Sequence, residues 1–154
     1  MKNRYQELSE KHQKEFNKLP LGFAYSDKQF REVMTRWGLD PKKDLDKLVR
    51  IPGGGFIQKK DLQLLKDVTR KNNQEMQAAI DDDPDGTGFI YEMFYCELSN
   101  HEFDYTRELD DTLYALGYTL DDIKTNLKLK SGLEKAIKRI INKADEIENE
   151  MLLR

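Results

Sequence analysis

A mainly helical α+β fold, a single domain of about six helices with one small β-hairpin sheet, is what this 154-residue sequence predicts. Three observations carry the prediction. Apolar residues recur at spacings of three and four along most of the chain. Only "KLVRIPGGGFIQ" (47–58) sets two short apolar runs around a glycine-rich turn. Finally, 36% of the residues are charged and 38% hydrophobic, which suits one small core beneath wide solvated helical faces. The length is enough for one such core, so residues 1–154 are expected to form one domain.

The first helix is expected over 2–19, with Tyr5, Leu8, His12, Phe16 and Leu19 on one stripe and Pro20 ending it. "GFAY" (22–25) reads as a short strand. Ser26 is an N-cap for a helix over 27–37 that presents Phe30, Val33, Met34 and Trp37; Gly38 ends it, and Leu39 folds back on the last turn. Asp40-Pro41 starts a short helical turn. The hairpin over 47–58 turns at Pro52-Gly53-Gly54-Gly55 and must pack on helices, since so few strands are unstable alone. Asp61 caps a long helix over 62–80. Further helices are expected over 88–100, with Ile90, Met93, Phe94 and Leu98 inward, over 104–117, ending at Gly117, and from Thr119 through "LDDIKTNL". Ser131 opens the last helix, 131–153, where Leu133, Ile137, Ile140, Ala144, Ile147 and Met151 alternate spacings of four and three.

The net charge of −3 conceals a strong asymmetry. Residues 75–122 carry 14 acids and one base, Arg107, a charge of −13; the remainder carries +10. Eight of the aromatic residues fall in the same segment: Phe89, Tyr91, Phe94, Tyr95, Phe103, Tyr105, Tyr114 and Tyr118. Acidic helices repel nucleic acid and favour basic protein partners, while tyrosines beside carboxylates are the residues of an interface anchor set. Elsewhere the lysines are scattered among acids and follow no nucleic-acid-reading motif, so direct nucleic-acid binding is not expected. No apolar run approaches the roughly 18 residues of a membrane span, and "MKNRYQELSEKHQKEF" has no signal-peptide core. With its single cysteine, Cys96, the chain is expected to be cytoplasmic.

"DDDPDGTGFIYE" (81–92) meets every term of the EF-hand pattern, with Asp81, Asp83, Asp85, Gly86 and Glu92 at loop positions 1, 3, 5, 6 and 12. Three features oppose a calcium loop. Gly88 stands where EF-hands carry an apolar residue, Pro84 locks φ where an adaptable residue is usual, and no second loop exists to pair with it. The preferred reading is an Asp- and Gly-rich turn between two helices. A calcium-responsive module using Asp81, Asp83, Asp85 and Glu92 is the alternative; otherwise no cofactor is expected.

Catalytic constellations are absent from the sequence. Cys96 and His101 lie just over one helical turn apart without an orienting group beyond Glu97 and Glu102, and adding His12 leaves a zinc site one ligand short. Gly53–Gly55 lack phosphate-loop spacing, and a hairpin turn explains them. The carboxylates are too many to specify a pair, so no enzymatic activity is expected.

The stretch 86–123 carries a more specific signal. Its "GFIYEMFYCELSNHE", followed by "TLYALG", resembles an uncharacterised family of small accessory proteins of phages and conjugative elements in gut and related bacteria (GFIYxMFxxELxNHE…TLxALG). "FAYSDKQF…GL" and "GGGFIQKKD" extend the likeness over 20–140. The resemblance implies a mobile-element setting, in which small acidic non-enzymatic proteins serve as anti-restriction or anti-CRISPR inhibitors; it carries over no catalytic residues. The resulting expectation is a protein-binding accessory protein that docks an acidic surface on a nucleic-acid-handling host protein. Its expected contacts are Tyr91, Glu92, Glu97, Glu102, Asp104, Tyr105, Glu108 and Asp111. A homodimer through residues 131–153 is a further reading.

Overall fold

The computed structural model describes residues 2–153. Its fold is mainly helical α+β, with eight α-helices and one three-stranded antiparallel sheet among those residues. In chain order these are α1 (Arg4–Asn17), β1 (Leu21–Phe23), α2 (Asp27–Arg36), β2 (Leu48–Ile51), β3 (Gly55–Gln58), α3 (Leu62–Asp81), α4 (Phe89–Asn100), α5 (Phe103–Thr106), α6 (Asp110–Leu116), α7 (Leu120–Thr125) and α8 (Leu127–Leu152). No helix among the described residues is long and apolar enough to cross a membrane. The chain gathers into two compact units, Lys11–Gln74 and Met1–Glu10 with Glu75–Arg154, whose boundaries fall inside α1 and α3.

Local chemistry accounts for the Lys11–Gln74 unit. The expected hairpin forms between β2 and β3, with Val49 opposite Ile57, and turns through Gly53 and Gly54, both at positive φ. β1 pairs with the other edge of β3, so the order is β1-β3-β2, and every residue of β3 is buried. Phe56 from this central strand meets Phe30 and Trp37, each with ring centroids 5.4 Å apart. Such aromatic pairs add about 0.5–1.5 kcal/mol beyond area burial. Ser26 caps α2 by accepting from the Gln29 amide (3.2 Å), and Leu39 folds back to donate to the Met34 carbonyl (2.8 Å).

In the other unit, α4 packs along α8. Ile90, Phe94 and Leu98 of α4 and Ala136 of α8 are fully buried, with Met93, Leu129, Leu133 and Ile140 nearly so. Burying a side chain of the size of Phe94 or Leu98 stabilises by about 1.5–3 kcal/mol. Tyr5 of α1 joins this core, with its ring edge-on to Phe89.

Two boundaries differ from expectation. Residues 104–117 form two helices rather than one: α5 closes after a single turn at Arg107, whose φ is 60°, and α6 begins at Asp110. At 100° per residue a continuous helix would place Phe103 about 80° from Leu113 and about 120° from Leu109. Phe103 and Leu113 are both buried and Leu109 packs against the same core, so the break lets all three face it. The last helix opens at Leu127 rather than at Ser131. Asn126 ends α7 and caps α8, its side chain accepting from the Lys128 and Leu129 amides (3.1 and 3.2 Å). Thr119 caps α7 through a reciprocal capping box with Asp122.

Candidate functional site

The acids of residues 75–122 separate into three sets. The first lies in the turn between α3 and α4. Asp83 is only 4% exposed and points at its own backbone: Oδ1 accepts from the Gly86 amide (2.9 Å), and Oδ2 accepts from Gly88 (3.1 Å) and Ile90 (3.0 Å). It therefore satisfies the free N–H groups at the start of α4, where the helix dipole also favours a negative charge. Burial alone would raise the Asp83 pKa, but the Ile90, Gly86 and Gly88 amides override it and hold the carboxyl below its usual range. Asp85 accepts from both the hydroxyl (2.6 Å) and the amide (2.9 Å) of Thr87, which likewise lowers its pKa. Asp81 is the last residue of α3 and accepts from Gln77 Nε2. Glu92 pairs with Arg4 at 2.7 Å. Each expected calcium ligand thus has another partner, and no three His, Cys, Asp or Glu side chains gather as a metal site among the described residues.

The turn is also locked from outside. Gly86, at φ 87°, lies so close to the first turn of α8 that a Cβ would collide with the Lys128 carbonyl. Reciprocally, a Cβ on Gly132 would stand 2.5 Å from the Gly86 carbonyl and from Ile90 Cγ2. Only two glycines permit this approach of backbone to backbone. Lys128 donates to the Asp81 carbonyl (3.3 Å) and Lys135 to the Thr87 carbonyl (2.8 Å), adding charge-assisted bonds around the same contact.

The second set sits on α4 and faces inward. Glu97 accepts from the Tyr5 hydroxyl at 2.9 Å; burial first, and then the Glu97 charge, push the Tyr5 pKa far above its ordinary value. Tyr91 lies under Lys135 Nζ, 4.2 Å from the ring centroid. Asn3 donates to the Glu92 carbonyl (2.8 Å). Tyr91, Glu92 and Glu97, expected as partner contacts, are therefore half-buried and joined to α1 and α8.

The third set spans α5, α6 and the turns beside them, where Glu102, Asp104, Tyr105, Glu108 and Asp111 are all exposed. Tyr105 is 87% exposed and Tyr114, absent from the expected contacts, 89%. Asp110, Leu120, Asp121 and Asp122 are exposed as well. Arg107, the lone base of residues 75–122, lies over the Phe103 ring, 5.9 Å from the centroid. Tyr114 could have been found from the helical repeat, because it is out of phase with the buried Leu113 and half-buried Leu116. Asp104 also borders a hollow of about 270 Å³ between α4 and α8, walled by Tyr95, Ile140, Ala144 and Ile147.

Cys96 and His101 are engaged by different neighbours, Asn100 and the Glu97 carbonyl. Burial raises the Cys96 pKa, with the Glu97 charge adding to it, so the thiol is held protonated. His101 Nδ1 lies 2.7 Å from the Glu97 carbonyl, to which it donates in the Nδ1–H tautomer. In the Lys11–Gln74 unit an open hollow of about 700 Å³ is lined by Tyr25, Phe30, Leu45, Arg50, Ile51 and Phe56, and was not anticipated from sequence.

No curated protein and no solved structure matches the chain. A family profile does match, across residues 4–139, which span the sheet, all the acids described above, α4 and the first half of α8. The chain thus belongs to a family of unknown function (DUF7659).

Proposed function

We propose that this protein is a non-catalytic accessory protein of a phage or other mobile element. It docks the acidic strip of α5 and α6 on the basic surface of a nucleic-acid-handling host protein, in the manner of an anti-restriction or anti-CRISPR inhibitor. The observation that carries this reading is that Glu102, Asp104, Glu108 and Asp111 are all exposed on the same short stretch as Tyr105 and Tyr114, two nearly fully exposed tyrosines. Large amphipathic rings amid charge of one sign supply both anchors and long-range steering toward a basic groove. The inward engagement of Tyr91, Glu92 and Glu97 narrows the contact set to Glu102, Asp104, Tyr105, Glu108 and Asp111, with Tyr114 added.

The test is capture from host lysate treated with nuclease, comparing the native chain with Glu102→Lys/Glu108→Lys/Asp111→Lys and with Tyr105→Ala/Tyr114→Ala. The reading expects a nucleic-acid-binding protein held by the native chain, lost with either variant, and displaced by heparin or DNA. A partner retained by both variants, or indifferent to heparin, would show that the strip is not the docking surface.

A further inference from the structure

Beyond Ile140 the last helix leaves the core. Ile140 is 5% exposed, whereas Ile147 is 51%, Met151 71%, Leu152 77% and Leu153 88% exposed. The apolar spacing of three and four nevertheless continues through Ala144, Ile147 and Met151, and every described residue past Ala144 is exposed. The family match ends at 139, just before this segment. At the base of the segment the hollow beside Tyr95, Ile140, Ala144 and Ile147 is large enough for apolar side chains.

The charges on the segment change sign along its length. Lys138, Arg139 and Lys143 come first; Asp145, Glu146, Glu148 and Glu150 follow, with no base from 144 to 153. A helix that is basic at one end and acidic at the other is complementary to itself only when reversed. A parallel copy would lay the acidic turns side by side, at a cost in repulsion, whereas an antiparallel copy lays them on the basic turn.

We propose that the outer half of α8 is a docking face for a second copy of this chain, in antiparallel orientation. With a heptad phase in which Ala144 and Met151 are a positions and Ile147 a d position, Ile147 packs against the partner's Ala144. Met151 then reaches the hollow beside the partner's Ile140, and Lys143 stands opposite the partner's Glu150. The overlap is short, so the dimer forms in a concentration-dependent way rather than being obligate. This surface adjoins the acidic strip at Asp104, which borders the same hollow, but the two proposals are tested through different substitutions, and either stands if the other fails.

Sedimentation velocity on the full chain, across a wide range of protein concentration, is the test. The native chain is expected to dimerise as concentration rises, and Ile147→Glu/Met151→Glu to remain monomeric with unchanged circular dichroism. Lys143→Glu is expected to weaken association about tenfold. Lys143→Glu/Glu150→Lys restores it, because both pairs across an antiparallel seam are exchanged together. A native chain that stays monomeric throughout overturns the proposal, as does a dimer that survives Ile147→Glu/Met151→Glu. Failure of the double exchange to restore association overturns the antiparallel orientation.

Discussion

The α3–α4 turn and the α5–α6 strip have similar compositions and opposite uses. Both are rich in aspartate. In the turn, Asp83 and Asp85 spend their oxygens on Gly86, Thr87, Gly88 and Ile90, so the negative charge holds the chain in shape. In the strip, Glu102, Glu108 and Asp111 make no such closure and present their charge outward. What separates them is the availability of unsatisfied backbone donors: α4 is a long helix whose first amides sit at a buried contact, whereas α5 is a single turn with only Phe103 buried. Acid count alone therefore says nothing about whether an acidic segment is scaffold or surface.

Substitutions can break this contrast, and the largest effect is expected where the turn meets α8. Gly86→Ala forces a Cβ into the Lys128 carbonyl at a positive φ, and should destabilise by about 3 kcal/mol in urea unfolding. Gly38→Ala, also at positive φ but facing open space, should cost only about 1 kcal/mol. Equal losses at the two sites would mean that the close approach contributes nothing.

Asp83→Ala leaves three amides without their acceptor and is expected to cost about 2 kcal/mol. Because the folded carboxyl titrates below its ordinary value, its stabilisation is complete above the unfolded carboxylate pKa of about 3.9 and disappears as pH falls through the lower folded value. Acid titration of native and variant stability should accordingly converge below about pH 4. Curves that stay parallel well below that pH would contradict the assignment.

Tyr5→Phe removes the bond to Glu97 and should cost about 1 kcal/mol. Smallest of all should be the stability change in Glu102→Lys/Glu108→Lys/Asp111→Lys, whose melting curve is expected to overlay the native one. Association with a basic partner, by contrast, should slow at least about tenfold at low salt, the gap shrinking as added salt shortens the screening length from about 8 Å. A loss of stability here comparable to that of Asp83→Ala would place the strip with the turn.

The sequence discloses structure well where the deciding chemistry is local. Ser26, the Leu39 fold-back, the Gly53-Gly54 hairpin and the Thr119 cap each depend on residues within a few positions, and each occurs as read. It discloses less where partners are distant. Glu92 and Glu97 look like surface acids on an exposed helix until Arg4 and Tyr5 arrive from the opposite end of the chain. D-x-D-x-D-G reads alike whether its carboxylates face an ion or their own backbone. The inward turn of Asp83 belongs to a loop braced by Lys128 and Gly132, and neither residue can be linked to it by spacing. Asn126 gives no start signal in the sequence, because a single residue that ends one helix and starts the next leaves no gap in the pattern.

The Gly86–Gly132 contact also sets a schedule for the chain as it is made. Lys11–Gln74 is one contiguous stretch, so all its strands can pair while the rest is still being synthesised. The other unit draws Tyr5 from one end and Leu133, Ala136 and Ile140 from the other, and its α3–α4 turn is braced only when the first turns of α8 arrive. Its apolar helix α4, with Ile90, Phe94 and Leu98, must wait uncovered until then. The arrival of α8 is thus what ends this exposure.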